Sequence, residues 1–279
     1  MKKIWSGRML RYIFMFLTLT YASIASSNVV NYIQPSKNEN IVFFLSTPKS
    51  GTNVITGSLS AITRKPISWF YWGNSIMDPA SKNREHISYN RLGLTLDTDI
   101  PLLYRTHYQF NELSLVNSEK NKLIFVTRNP KELLYRKFLL EKKASEIPDK
   151  KFIEEFLLKY LKAFEIFEHW NEHTRMLVFY EDFIVNDDAC LVQMLNFMNE
   201  PLKYYEDYLT HKQEYLDRLL QSYSKQHQHN NGGASSKGGP KPIYYTRNAS
   251  RETLLEIDEF IKTNAPAIWV KYLKRFEEL

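Results

Sequence analysis

Five apolar residues, Ile41 to Leu45, run without a break into Ser46-Thr47-Pro48-Lys49-Ser50-Gly51-Thr52. Ile55, Leu59 and Ile62 then recur at spacings of four and three. The unbroken run predicts a strand buried on both faces, and the recurrence predicts a helix after a short polar loop. The same succession returns at Leu123 to Thr127, where Asn129 offers an N-cap, Pro130 a first helical residue, and Leu133, Leu134 and Phe138 an apolar face. It returns again at Met176 to Tyr180, followed by Leu191, Met194, Leu195 and Met198. Phe152, Phe156, Tyr160, Phe164 and Phe167 predict one long amphipathic helix over residues 152 to 170. Residues 251 to 277 read as helix interrupted near Pro266. Strands alternating with helices, with no internal repeat, predict an α/β fold: one domain with a mostly parallel central sheet flanked by helices on both faces.

Three segments depart from this rhythm. Lys2, Lys3, Arg8 and Arg11 precede an uncharged apolar-rich stretch, Tyr12 to Ala25, that closes on Ser23-Ile24-Ala25. A basic start, an apolar middle and a small-residue exit describe a secretory signal peptide over 1–25. The stretch is short against the about 20 residues of a membrane span. An uncleaved anchor and a merely apolar start remain open, so the expected location is the secretory pathway or export, with the cytoplasm as the alternative. Any membrane association is expected through this segment only. Residues 26–39, rich in Ser and Asn with Pro35, read as a linker to a domain over 40–279. Residues 222 to 241 hold four of the nine glycines and are otherwise polar, which predicts a loop. His227 and His229 lie in it without a nearby cysteine and read as a solvated pair, so no metal is expected. Asn248-Ala249-Ser250 matches a glycosylation acceptor triplet.

Composition narrows the function. The chain has 279 residues, 43% of them hydrophobic, which is enough for one sizeable core. A net charge of +6 suits an anionic ligand, but no Lys/Arg run resembles a nucleic-acid arm. Cys190 is the sole cysteine, which rules out an intramolecular disulfide; among apolar neighbours it reads as a buried inert thiol.

The loop after the first strand carries the chemistry. A loop entering a helix N-terminus presents unpaired amides and the positive end of the helix dipole, which suits an anion. The nucleotide triphosphatase loop has its lysine directly after the last glycine, whereas Lys49 comes two residues before Gly51. The loop "TPKSGTN", residues 47 to 53, instead resembles the P-loop-like 5′-phosphosulfate loop of sulfotransferases that use 3′-phosphoadenosine-5′-phosphosulfate. "RTHYQF" (105 to 110) is similar to that family's histidine segment, and "FVTRNPKELLYRKF" (125 to 138) to its 3′-phosphate segment. "LVFYEDFIVNDD" (177 to 188) resembles its Tyr-Glu-Asp strand end, and "SSKGG" (235 to 239) is a reduced form of its late Arg-Lys-Gly loop.

The resemblance implies a sulfotransferase with a small-molecule or glycan acceptor, no nucleic acid partner and no metal. It assigns His107 as the base and Lys49 as the group that stabilises the leaving phosphate. Lys49, Ser50, Gly51, Thr52 and Asn53 would hold the 5′-phosphosulfate, Arg128 the 3′-phosphate, Tyr180 would lie near the adenine, and Lys237 and Gly238 would close the site. Three positions depart from the family pattern: Val54 replaces a tryptophan, Arg136 a serine and Ser236 an arginine. Arg136 is read as substituting for that lost arginine. Trp69, Phe70, Tyr71 and Trp72, with Tyr108 and Phe110, suit a stacked sugar or flat acceptor as well as they suit a core. Two other functions stay open: a sulfotransferase-like nucleotide-binding protein without turnover, and a phosphate-loop nucleotide kinase, which the displaced lysine disfavours.

Overall fold

The computed structural model describes residues 40–69, 94–98, 100–107, 113, 117–141, 148–228, 246 and 249–277. The expected signal peptide and linker, Phe70, Tyr71, Trp72, Tyr108, Phe110, His229, Lys237, Gly238 and Asn248 lie outside these residues, as do the side chains of Trp69 and His227.

Five parallel strands form one sheet in the order β2-β3-β1-β4-β5: β1 Val42–Ser46, β2 Ile67–Trp69, β3 Leu103–Thr106, β4 Lys122–Thr127 and β5 Arg175–Phe179. Successive residues of β1 and β4 point to opposite faces, and both faces are buried. Phe43, Leu45, Leu123 and Phe125 enter one apolar cluster; Val42, Phe44, Ile124 and Val126 enter the other. That is why these strands read as continuous apolar runs. The first cluster is closed by α2 (Pro130–Glu141), α3 (Lys150–His169), α7 (Arg251–Asn264) and the C-terminal turns from α8 (Pro266–Ile268) through Phe276. The second is closed by α1 (Thr52–Thr63), α5 (Asp187–Met198) and α6 (Tyr205–Gln228), with the short α4 (Tyr180–Val185) between β5 and α5.

The structure differs from the sequence expectation in four places. Strands β2 and β3 were not anticipated, being three and four residues long with polar Ser68, Arg105 and Thr106 among them. Helix α6 was not anticipated either. It runs 24 residues to Gln228, so the first part of the segment expected as loop is helical. Residues 222 to 228 contain neither Gly nor Pro, and the turn formers start only at Asn230. Tyr208, Tyr215 and Leu216 are its buried face, and the Tyr208 hydroxyl donates to Ser58 Oγ at 3.0 Å. Tyr180 opens α4 instead of closing the strand. Cys190 is partly buried at the margin of the second cluster and not fully enclosed; burial first, then Asp182 and Asp187, push its thiol up, which disfavours the thiolate.

The chain crosses from β3 to β4 over β1, so the strand order reverses at β1. In open parallel sheets, ligands settle outside the strand ends at such a reversal. The residues following β1, β3, β4 and β5 all emerge at this edge.

Candidate active site

The loop leaving β1 is clipped to β4. Thr47 N–H donates to Val126 O at 3.1 Å, and the Ser50 hydroxyl donates to Thr47 O at 2.6 Å and to Val126 O at 3.3 Å. Ser50 N–H donates to Thr47 O at 3.2 Å, so both polar groups of Ser50 turn inward and hold the loop's shape. Lys49 and Gly51 adopt φ of 74° and 80°. A non-glycine residue in the left-handed region costs about 1–2 kcal/mol, so the backbone at Lys49 is strained, and its side chain is exposed. At Gly51 a Cβ would sit 2.2 Å from Tyr180 Cε2 and 2.3 Å from Cδ2, so the ring as well as the φ demands glycine.

Helix α1 starts at Thr52 with no side-chain cap. Its first amides have no intrahelical acceptors. Thr52 Oγ1 is buried and has no hydrogen-bond partner. An uncapped helix start, a buried orphan hydroxyl and an exposed lysine fit an oxyanion such as a phosphate.

His107 follows β3. Its Nδ1 lies 3.0 Å from both Ser46 O and Ser46 Oγ. A carbonyl only accepts, so Nδ1 carries the proton and donates to it, which leaves the lone pair on Nε2. Burial, then the Arg105 charge and more weakly Lys49, lower the ring's pKa from 6.5 to about 4 against the opposing pull of the Ser46 carbonyl. The ring is therefore neutral and able to accept a proton throughout the neutral range. Arg105, two residues earlier and on the same side of the strand, donates from Nη1 to Asn53 Oδ1 at 2.7 Å. It ties the histidine's strand to the first turn of α1. Arg105 is not among the site residues expected from the sequence; the signal that marks it is strand periodicity, which puts it on the same side as a candidate base two residues later.

Arg128 lies between β4 and α2 and is only 4% exposed. Its guanidinium carbon sits 5.1 Å from the centre of the Tyr180 ring, and its nitrogens 3.6 Å from Glu181 and 3.8 Å from Glu132. The buried Tyr160 hydroxyl donates to Arg128 O at 2.9 Å. Tyr180 thus packs against both Gly51 and Arg128, bridging the loop and the arginine, and stacks on Phe183 at 6.4 Å. Glu181 Oε1 accepts from Asn129 N–H at 3.0 Å, Oε2 is buried without a hydrogen-bond partner, and burial pushes the carboxyl up. Arg136 is partly buried on α2, one turn beyond Glu132. Val54, in the first turn of α1, packs against the second cluster and not in the open.

The structure thus brings together Lys49, Ser50, Gly51, Thr52, Asn53, His107, Arg128 and Tyr180 at one sheet edge. Lys131, from the same motif as Arg128, points away. It is buried, forms an ion pair with Asp258 at 2.7 Å and donates to Phe276 O at 2.9 Å. A cavity of about 510 Å³ bounded by Arg64, Asp97, Tyr204, Asp207 and Tyr215 adjoins the opposite end of α1 and includes none of the site residues.

Comparison with known proteins adds to this geometry. Residues 39–241 match the model of the sulfotransferase domain. No curated protein matches the chain. Among solved structures the fold is similar to mouse sulfotransferase SULT7A1 complexed with PAP, at 18% identity and TM-score 0.52, covering 87% of this chain and 90% of that one. It is also similar to retinol dehydratase in a complex with retinol and PAP, at 15% identity and TM-score 0.52, covering 84% and 83%. At such identities these two likenesses establish the fold.

Proposed function

Because the chain belongs to the sulfotransferase domain family, we propose that it moves a sulfuryl group from 3′-phosphoadenosine-5′-phosphosulfate to a hydroxyl or amine acceptor. The observation that supports this most is the pairing of a neutral His107, oriented by the Ser46 carbonyl at 3.0 Å, with Lys49 at the uncapped start of α1.

The donor supplies the SO3 group and leaves as 3′,5′-adenosine bisphosphate. His107 Nε2 takes the acceptor's proton as the acceptor bonds to sulfur. Lys49 and the first amides of α1 meet the charge that gathers on the bridging oxygen as its bond to sulfur breaks. Thr52 Oγ1 and the Asn53 amide donate to the 5′-phosphate. Arg128 binds the 3′-phosphate through its paired N–H groups, with Arg136, Lys237 and Gly238 completing that end. Tyr180 supports both phosphate ends by packing against Gly51 and Arg128. The acceptor is assigned to the aromatic run Trp69, Phe70, Tyr71 and Trp72 with Tyr108 and Phe110, which continue from the ends of β2 and β3 in sequence. A flat or sugar-like acceptor suits that composition. The N-terminal segment directs the domain to the secretory pathway.

Transfer of labelled sulfate from the donor to a panel of hydroxyl and amine acceptors tests the reading. Val54, standing where the family has tryptophan, favours a second one: a nucleotide-binding protein without turnover. Tight binding of 3′,5′-adenosine bisphosphate with no transfer to any acceptor selects the second reading; absence of binding refutes both.

A further inference from the structure

Glu132 is the third residue of α2, a position from which glutamate ordinarily reaches back to the amide of the N-cap residue. Here that amide is taken. Asn129 N–H donates to Glu181 Oε1 at 3.0 Å, while the Asn129 side chain accepts from Lys131 N–H at 3.0 Å. Released from capping, Glu132 turns elsewhere. It is 4% exposed, and a carboxylate so buried is unfavourable unless it is paired. Its Oε1 accepts both the backbone N–H of Thr246, at 3.2 Å, and the Thr246 hydroxyl, from 114 positions further along the chain. Its Oε2 lies 3.8 Å from Arg128 Nη2, one helical turn back. One oxygen is anchored on a distant turn and the other faces the arginine of the phosphate site.

We infer that Glu132 is a positioning residue for the 3′-phosphate site: held by Thr246, it fixes the direction in which Arg128 presents its guanidinium. The inference rests on the reading of Arg128 as the 3′-phosphate ligand. Glu132 acts through Arg128, with Glu181 steadying the other side of the guanidinium at 3.6 Å. A pure charge argument gives the opposite sign. Removing a carboxylate beside an anion site strengthens anion binding, whereas loss of orientation weakens it. The sign of the effect therefore separates the two.

The test is calorimetric affinity for two probes, 3′,5′-adenosine bisphosphate and 5′-adenosine monophosphate, on the wild type, Glu132→Gln and Thr246→Val, with melting temperatures measured alongside. Glu132→Gln is expected to lower affinity for the bisphosphate about tenfold, within the range by which members of one salt-bridge network couple. Affinity for the monophosphate is expected to stay within about twofold of wild type. Thr246→Val, which removes the hydroxyl anchor but keeps the amide, is expected to weaken the bisphosphate selectively and by less. Equal losses for both probes mark a structural role and overturn the inference, as do an unchanged constant or tighter binding of the bisphosphate. A wild type that binds both probes equally overturns the Arg128 reading, and this inference with it.

Discussion

Titration of His107 links the candidate base to stability. In the folded protein burial and Arg105 hold the ring near 4, while an exposed histidine titrates near 6.5. As pH falls through the higher value, the unfolded chain gains a proton that the folded chain refuses. The stability contributed by the neutral ring is therefore complete above pH 6.5 and drains away until the folded ring itself protonates near 4. The full gap corresponds to about 3 kcal/mol, and partial exposure of the ring reduces this to about 2–3 kcal/mol. His107→Asn supplies the control: its amide can still donate to Ser46 O but does not titrate. Every other group titrates in both proteins, so the difference between them isolates the ring. Urea unfolding at several values between about pH 7 and pH 4 should show the stability difference shifting by about 2–3 kcal/mol against the wild type. A difference that stays constant over that range would refute the burial argument. The same ring, acting as a base, should keep kcat/KM level down to about pH 5, where an ordinary histidine would already have lost it.

Three further outcomes follow from the geometry. Gly51→Ala should lower the urea midpoint by an amount equivalent to about 2–4 kcal/mol, combining the left-handed backbone with a Cβ 2.2 Å from Tyr180, and Tyr180→Ala in the same chain should recover part of it; no recovery would place the strain elsewhere. Lys131→Met should destabilise by about 3–5 kcal/mol by leaving Asp258 buried and unpaired, and Lys131→Met with Asp258→Leu should restore most of this, as read from denaturant midpoints. Lys49→Ala should raise the barrier to transfer by about 2.7–4 kcal/mol and leave the melting temperature close to wild type, because its side chain is exposed; a variant with normal turnover would remove Lys49 from the chemistry.

Much of this protein was legible from neighbouring residues alone. β1, β4 and β5 announce themselves because the sheet is covered on both faces and their interiors are unbroken apolar runs, with the polar Ser46, Lys122, Thr127 and Arg175 only at their ends. The loop from Thr47 to Asn53 and its helix are a local pattern of turn, glycine and periodicity, and so is the cap at Asn129. Hydrogen bonding and hydrophobic spacing within about ten residues carry that information. Other features exist only once the chain has closed on itself. β2 and β3 are short and partly polar, and they become strands because a neighbouring strand pairs with them. Arg105 meets Asn53 across 52 positions and Glu132 meets Thr246 across 114, contacts that no local spacing encodes. His107 is an ordinary histidine in the sequence. Its low pKa comes from desolvation at the sheet edge and from charges on other segments. Secondary structure follows from the order of side chains along the chain, whereas the state of a titrating group follows from what the fold has removed from water around it.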